Sequence, residues 1–231
     1  MSFPFLLQVE QAAEAAETGV VKVPIWDIIA ESSKGFGLII NVVLAVMLGY
    51  SIFVFVERFL ALRKASKEEA GLLTKIREYI KDGKIDMAKD ICSRSHSPSA
   101  RMLEKGISRL GKPLDSISAS IENTAKLEIS RLEQRISFLA TTAGAAPMIG
   151  FLGTTVGMVI VFIDLQNATA LELGIIAPGI MTAMITTVAG LVVGIISYVG
   201  YNYLVAKIGR VVYQMENAAL EFMDLLNEPS K

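Results

Sequence analysis

Thr154, Thr182, Thr186 and Thr187 stand near the middle of two long stretches, residues 136–163 and 173–206, that contain no Asp, Glu, Lys, Arg or His. A threonine hydroxyl donates one hydrogen bond and accepts others, so in such a place it can solvate a charge or orient a water. Its simplest role is structural, a bond to the carbonyl four residues earlier in its own helix. What sets these four apart is the company they keep. Projected at about 100° per residue, Ala143, Ala146, Pro147, Gly150, Gly153, Thr154 and Gly157 share one side of the first stretch. Gly179, Ala183, Thr186, Thr187, Gly190, Gly194, Ser197 and Tyr201 share one side of the second, with Pro178 beside its start. Met, Ile, Leu and Val cover the opposite sides. Glycine faces by themselves require nothing beyond close helix packing in lipid, but hydroxyls on the small faces of two segments suit a polar lining for something inserted between subunits.

The same stretches exclude other chemistry. Paired-aspartate proteolysis, Ser/His hydrolysis and zinc hydrolysis need ionisable groups that are absent from them, and no Gly-rich phosphate loop occurs elsewhere, so no enzyme is expected. A proton crossing the membrane needs a titratable carrier; if protons move here, the carrier belongs to another polypeptide. One cysteine, Cys92, and one histidine, His96, rule out a disulfide framework and a Cys/His zinc cage, and no cofactor or metal is expected. A net charge of −1 argues against nucleic-acid binding.

These side chains must be held by membrane-crossing elements. The 231-residue chain is 52% hydrophobic and 19% charged, against about 25% charged in ordinary soluble domains. Its charges avoid residues 35–56, 136–163 and 173–206 altogether. Each block exceeds the ~20 apolar residues that cross a bilayer. The expected fold is an all-α membrane protein with three transmembrane helices, the second and third long and extended into the cytoplasm, joined to a helical cytoplasmic domain. Residues 57–135 carry 17 of the 22 Lys+Arg, and basic residues also flank the ends at Arg58, Arg63, Lys64, Lys126, Arg131, Arg135, Lys207 and Arg210. The 164–172 loop has two acids and no Lys or Arg, and residues 1–34 have five acids against Lys22 and Lys34. By the positive-inside rule, residues 1–34 and 164–172 are periplasmic, whereas 57–135 and the 207–231 tail are cytoplasmic.

The Phe3–Leu7 stretch is too short and lacks the basic flank of a cleavable signal, so it is expected to remain in the mature chain. Residues 25–29 around Trp26 suit an interfacial helix. Within 57–135, Leu72, Leu73, Ile76, Tyr79 and Ile80 predict a helix that ends at Asp82–Gly83; a second covers about 85–93, and Pro98 marks a turn. From Ser116, apolar positions continue without Gly or Pro into the second span. Cys92 reads as a small buried side chain, His96 as a solvated turn residue, and Glu57 and Arg58 as interfacial charges. The clusters Arg63/Lys64 and Lys207/Arg210 suit anionic lipid headgroups.

The run Ala146-Pro147-Met148-Ile149-Gly150-Phe151-Leu152-Gly153-Thr154-Thr155-Val156-Gly157-Met158, with Ala177-Pro178-Gly179-Ile180, Thr187-Val188-Ala189-Gly190-Leu191 and Tyr201-Asn202, resembles the ExbB/TolQ/MotA proton-channel stator family, most of all ExbB. Val56-Glu57-Arg58 and the spacing Ala88…Cys92…Ser97-Pro98 also resemble it; the similarity runs from about residue 36 to 208. The resemblance implies a bacterial inner-membrane stator, five copies surrounding two copies of a single-span ExbD-like partner whose membrane aspartate carries the proton, and a TonB-like periplasmic protein as the element driven. It also implies that Thr154 and Thr187 face that aspartate. The transported ion is expected to be H+, with Na+ second. At Thr182 the chain departs from the family pattern, which has glutamate there. A TolQ-like envelope or motility motor and a passive scaffold are the alternative readings.

Overall fold

The computed structural model describes residues 36–65, 71–95, 97–167 and 173–227. They form seven helices: α1 Phe36–Ala65, α2 Leu72–Lys81, α3 Ile85–Arg94, α4 Pro98–Ile107, α5 Leu114–Glu133, α6 Ile136–Asn167 and α7 Leu173–Asn227. No strand occurs among the described residues. α1, α6 and α7 are long and apolar enough to cross a membrane, and they contain residues 36–56, 136–163 and 173–206 of the charge-free stretches. At 55 residues, α7 is more than twice the ~20 that a bilayer needs. The 1–34 segment with its Trp26 helix, His96, and residues 168–172 of the expected periplasmic loop lie outside the described residues. The first part of that loop, Asp164–Asn167, continues α6; residues 158–167 contain no Gly or Pro to stop it.

The chain divides into two compact units, residues 1–42 with 150–189 and residues 43–149 with 190–231. In the first, α6 and α7 run antiparallel with their small faces together. A Cβ added at Gly157 would lie 2.8 Å from the Ala183 Cβ, and one at Gly153 would lie 2.8 Å from the Thr186 Cβ and 3.0 Å from Ile40 Cδ1. Gly179 is pressed in the same way against Val161. Glycine is what this separation demands, because any side chain would force the backbones apart.

In the second unit, α2 to α5 enclose an apolar core with the C-terminal part of α7. Leu72, Ile76, Cys92, Leu103, Ile121 and Phe222 are among its buried members. The sequence marks the joints: Gly71, Gly83 and Gly111 adopt left-handed φ of 89°, 71° and 89°, and the Ser97 hydroxyl caps α4 by accepting from the Ala100 N–H at 3.2 Å, with Pro98 in the first turn. Gly106 lets α4 approach closely, since a Cβ there would lie 2.8 Å from Ile121 Cδ1. A second cluster, Val54, Leu62, Ile136, Leu139, Leu204 and Ile208, joins α1, α6 and α7.

The run from Ser116 into the second span is helical on both sides but not continuous. α5 stops at Glu133, and Arg135 takes a left-handed φ of 64° before α6 begins. Neither Gly nor Pro causes this break; an ion pair accompanies it. Arg135 Nη1 donates to both carboxylate oxygens of Glu57, at 3.2 and 3.1 Å.

Candidate functional site

Five residues meet in the first unit, three of them threonines. The hydroxyls of Thr154 on α6 and Thr187 on α7 are hydrogen-bonded to each other. Thr154 Oγ1 also reaches the Ala183 carbonyl at 3.1 Å and its own Gly150 carbonyl at 3.5 Å; Thr187 Oγ1 reaches the Gly150 carbonyl at 3.1 Å. Thr186 is buried, donating to its own Ala183 carbonyl at 2.7 Å, with Gly150 O at 3.4 Å. The sequence brings this about because Gly150 and Gly153 carry no side chain to screen α6 from the threonines of α7. Thr154 and Thr187 stay half-buried, so the pair retains a face available to another group.

Thr182 is half-buried one turn before Thr186 and lies outside the hydrogen-bonded cluster. Thr155 is exposed on the apolar side, its hydroxyl on the Leu152 carbonyl at 2.9 Å. Gly150, predicted as a packing residue, contributes its carbonyl as an acceptor shared by three threonines; its position four residues before Thr154 was the available signal. Gly190 and Gly194 are buried. In the second unit, Gly194 faces Pro147, whose Cγ would be 2.7 Å from an added Cβ. Pro178 is the sixth residue of α7, inside the helix, where its missing N–H leaves the Gly174 carbonyl without its usual helical donor.

The charged residues form a second constellation, beyond the sequence reading. Glu128 is 3% exposed and is held by Arg101 at 2.5 Å and Arg131 at 2.6 Å. The Arg131 carbonyl accepts from Arg58 Nη1 at 3.1 Å, and Arg58 lies 3.5 Å from Glu57, the partner of Arg135. Glu57 and Arg58 therefore tie α1, two turns before its end, to the α5–α6 junction within one chain. Cys92 is fully buried, as expected of a small free cysteine in a helix. Burial, and secondarily the charge of Glu104, push its thiol up to about 12. Among the described residues no group of three or more His, Cys, Asp or Glu is placed to hold a metal.

Three membrane-length helices, two of them joined through a hydroxyl pair on their glycine faces, define a helical membrane protein. Residues 94–217 match the MotA/TolQ/ExbB proton channel family, and the chain belongs to that family. It is similar to the Tol-Pal system protein TolQ of Haemophilus influenzae, 37% identical over 43% of this chain and 44% of that protein. It is also similar to the putative biopolymer transport protein ExbB-like 2 of Helicobacter pylori, 39% identical over 36% of this chain and 54% of that one. The biopolymer transport protein ExbB of Salmonella typhimurium is 28% identical over 80% of this chain and 79% of its own length. The chain spans about half the length of the TolQ and ExbB-like 2 relatives it matches.

Proposed function

We propose that this chain is the multi-span stator subunit of a bacterial inner-membrane complex driven by the proton-motive force. In this reading five copies surround an ExbD-like partner whose membrane aspartate carries the proton, and the complex energises a TonB-like periplasmic protein for outer-membrane transport. Residues 1–34 and the 164–172 loop face the periplasm; 57–135 and the tail face the cytoplasm. The observation that carries it is the half-buried Thr154–Thr187 hydroxyl pair inside spans that hold no ionisable residue.

The physics favours that pair as the partner carboxylate's solvent. An unpaired charge in hydrocarbon costs several kcal/mol, and each hydrogen bond to a charged group returns about 1.5–3 kcal/mol. The electrical driving force is about 2.3 kcal/mol per proton for each 100 mV, so one lost hydroxyl is comparable to the whole input. Thr→Val keeps the shape and removes the hydroxyl. The expected outcome for Thr154→Val or Thr187→Val is intact assembly with the partner and loss of proton-motive-force-dependent growth or uptake, with Thr155→Val mild. Full activity in both lining variants would sink the assignment.

A TolQ-like role is the second reading, favoured by the TolQ relatives. Co-purification separates the two: a partner acting on a TonB-like protein or on a Tol-Pal-type envelope component decides it.

A further inference from the structure

Ser51, Thr142 and Ser197 are 3%, 0% and 1% exposed, and their hydroxyl oxygens have no hydrogen-bond partner among the described residues. This departs from the habit of hydroxyls in helices, which bond back to a carbonyl three or four residues earlier, as Thr141 does to Ser137 at 3.0 Å. The three come from three helices of one unit, α1, α6 and α7. Neighbouring contacts put them at one level. A Cβ at Gly200 would lie 3.2 Å from Phe55 and 3.4 Å from Leu139, while Gly194 faces Pro147 and Ala143. Thr142 is three residues past Leu139, and Ser197 is three before Gly200. With α6 antiparallel to α7, these two stand opposite each other. Ser51 precedes Phe55 by one turn and reaches the same level from α1. Ser51 and Ser197 line a common cavity of about 270 Å³ whose other walls include Ile52, Phe55, Leu139 and Ile196.

Three neutral hydroxyls offer three donors and up to six lone pairs and no countercharge, so an apolar interior at this point suits a neutral molecule that both donates and accepts. The cavity exceeds the ~30 Å³ that one water occupies; its wall is almost wholly apolar, with Ser51 and Ser197 in it and Thr142 behind it. We propose that Ser51, Thr142 and Ser197 bind a water molecule that links α1, α6 and α7. It is a polar site on residues other than the Thr154–Thr187 pair, and it serves helix association rather than proton transfer.

The test is a double-mutant cycle on the melting midpoint of the full chain in detergent, using Ser51→Ala, Thr142→Val and Ser197→Ala. Losing one member of a hydrated set leaves the others undersatisfied. Each single variant is therefore expected to lower the midpoint by about 2–4 °C, and pairs by less than the sum. Unchanged or raised midpoints that add independently would mean dry hydroxyls better replaced by apolar groups, and would overturn the proposal. A density map of the wild-type chain gives a second readout. A peak within hydrogen-bond distance of at least two of the three oxygens supports the site, whereas lipid-chain density filling the cavity without touching them overturns it. A wild-type midpoint that depends on sodium and loses that dependence in Ser197→Ala would assign the site to a cation instead.

Discussion

Thr154 and Thr187 bring two hydroxyl protons to a cluster with more acceptors than donors: the Gly150 carbonyl, the Ala183 carbonyl and each other's oxygen. The cluster can therefore rearrange, one hydroxyl turning outward to donate to an incoming group while the other keeps its carbonyl. Thr186, buried with its proton on Ala183, has no such freedom. That contrast is why the activity loss is expected at Thr154 and Thr187. Cys92 shows the opposite use of burial. Its thiol is pushed up to about 12, and the thiolate is the reactive form, so at pH 8 it is expected to resist a disulfide reagent until the chain is unfolded, when one thiol should appear. Because the folded value is raised above the ordinary 9.0, the stability it contributes is intact below pH 9.0 and is lost as the pH climbs toward 12. Cys92→Ala should abolish that part of the alkaline loss, which a denaturation series across the window would reveal.

The elements depend on glycine at particular places and not at others. A Cβ at Gly157 would meet the Ala183 Cβ at 2.8 Å, but one at Gly144 would meet nothing within 4 Å. Both lie in α6, so helix propensity favours alanine at both by about 1 kcal/mol, and only packing separates them. Gly157→Ala is expected to lower the melting midpoint and Gly144→Ala to leave it unchanged or raise it; equal behaviour would refute the close α6–α7 approach. The α5–α6 joint follows a different logic. A left-handed φ costs a non-glycine residue about 1–2 kcal/mol, and at Arg135 the bidentate contact with Glu57 accompanies that conformation. An arginine held this way turns the chain where a glycine usually would.

At the scale of the molecule, the charge asymmetry makes the proposed orientation measurable. Asn167 ends α6 and Ala119 lies in α5, both exposed. In a Cys92→Ala background, a cysteine at Asn167 should react with a membrane-impermeant thiol reagent applied from the periplasmic side, and one at Ala119 should not. The reverse pattern would invert the topology.

By itself the sequence determined three helices long and apolar enough to cross a membrane, because each charge-free stretch exceeds the ~20 residues a bilayer needs. It also determined the glycine and threonine faces, because a 100° period survives without knowledge of the partner helix. The burial of Cys92 was legible from residue type, since a free cysteine is among the most often buried side chains. The tertiary structure alone decided which small faces meet, since Gly153 and Thr186 are 33 residues apart and only an antiparallel register brings them into contact. It decided that Glu57 reaches Arg135 across 78 positions and that Glu128 is buried between two arginines. It also set the break at Gln134–Arg135, where local propensity predicts a continuing helix. The level shared by Ser51, Thr142 and Ser197 belongs with these. Thr142 continues the small stripe of α6 through Ala146 and could have been noticed, but whether a hydroxyl bonds its own helix or is left for another molecule depends on what packs against it.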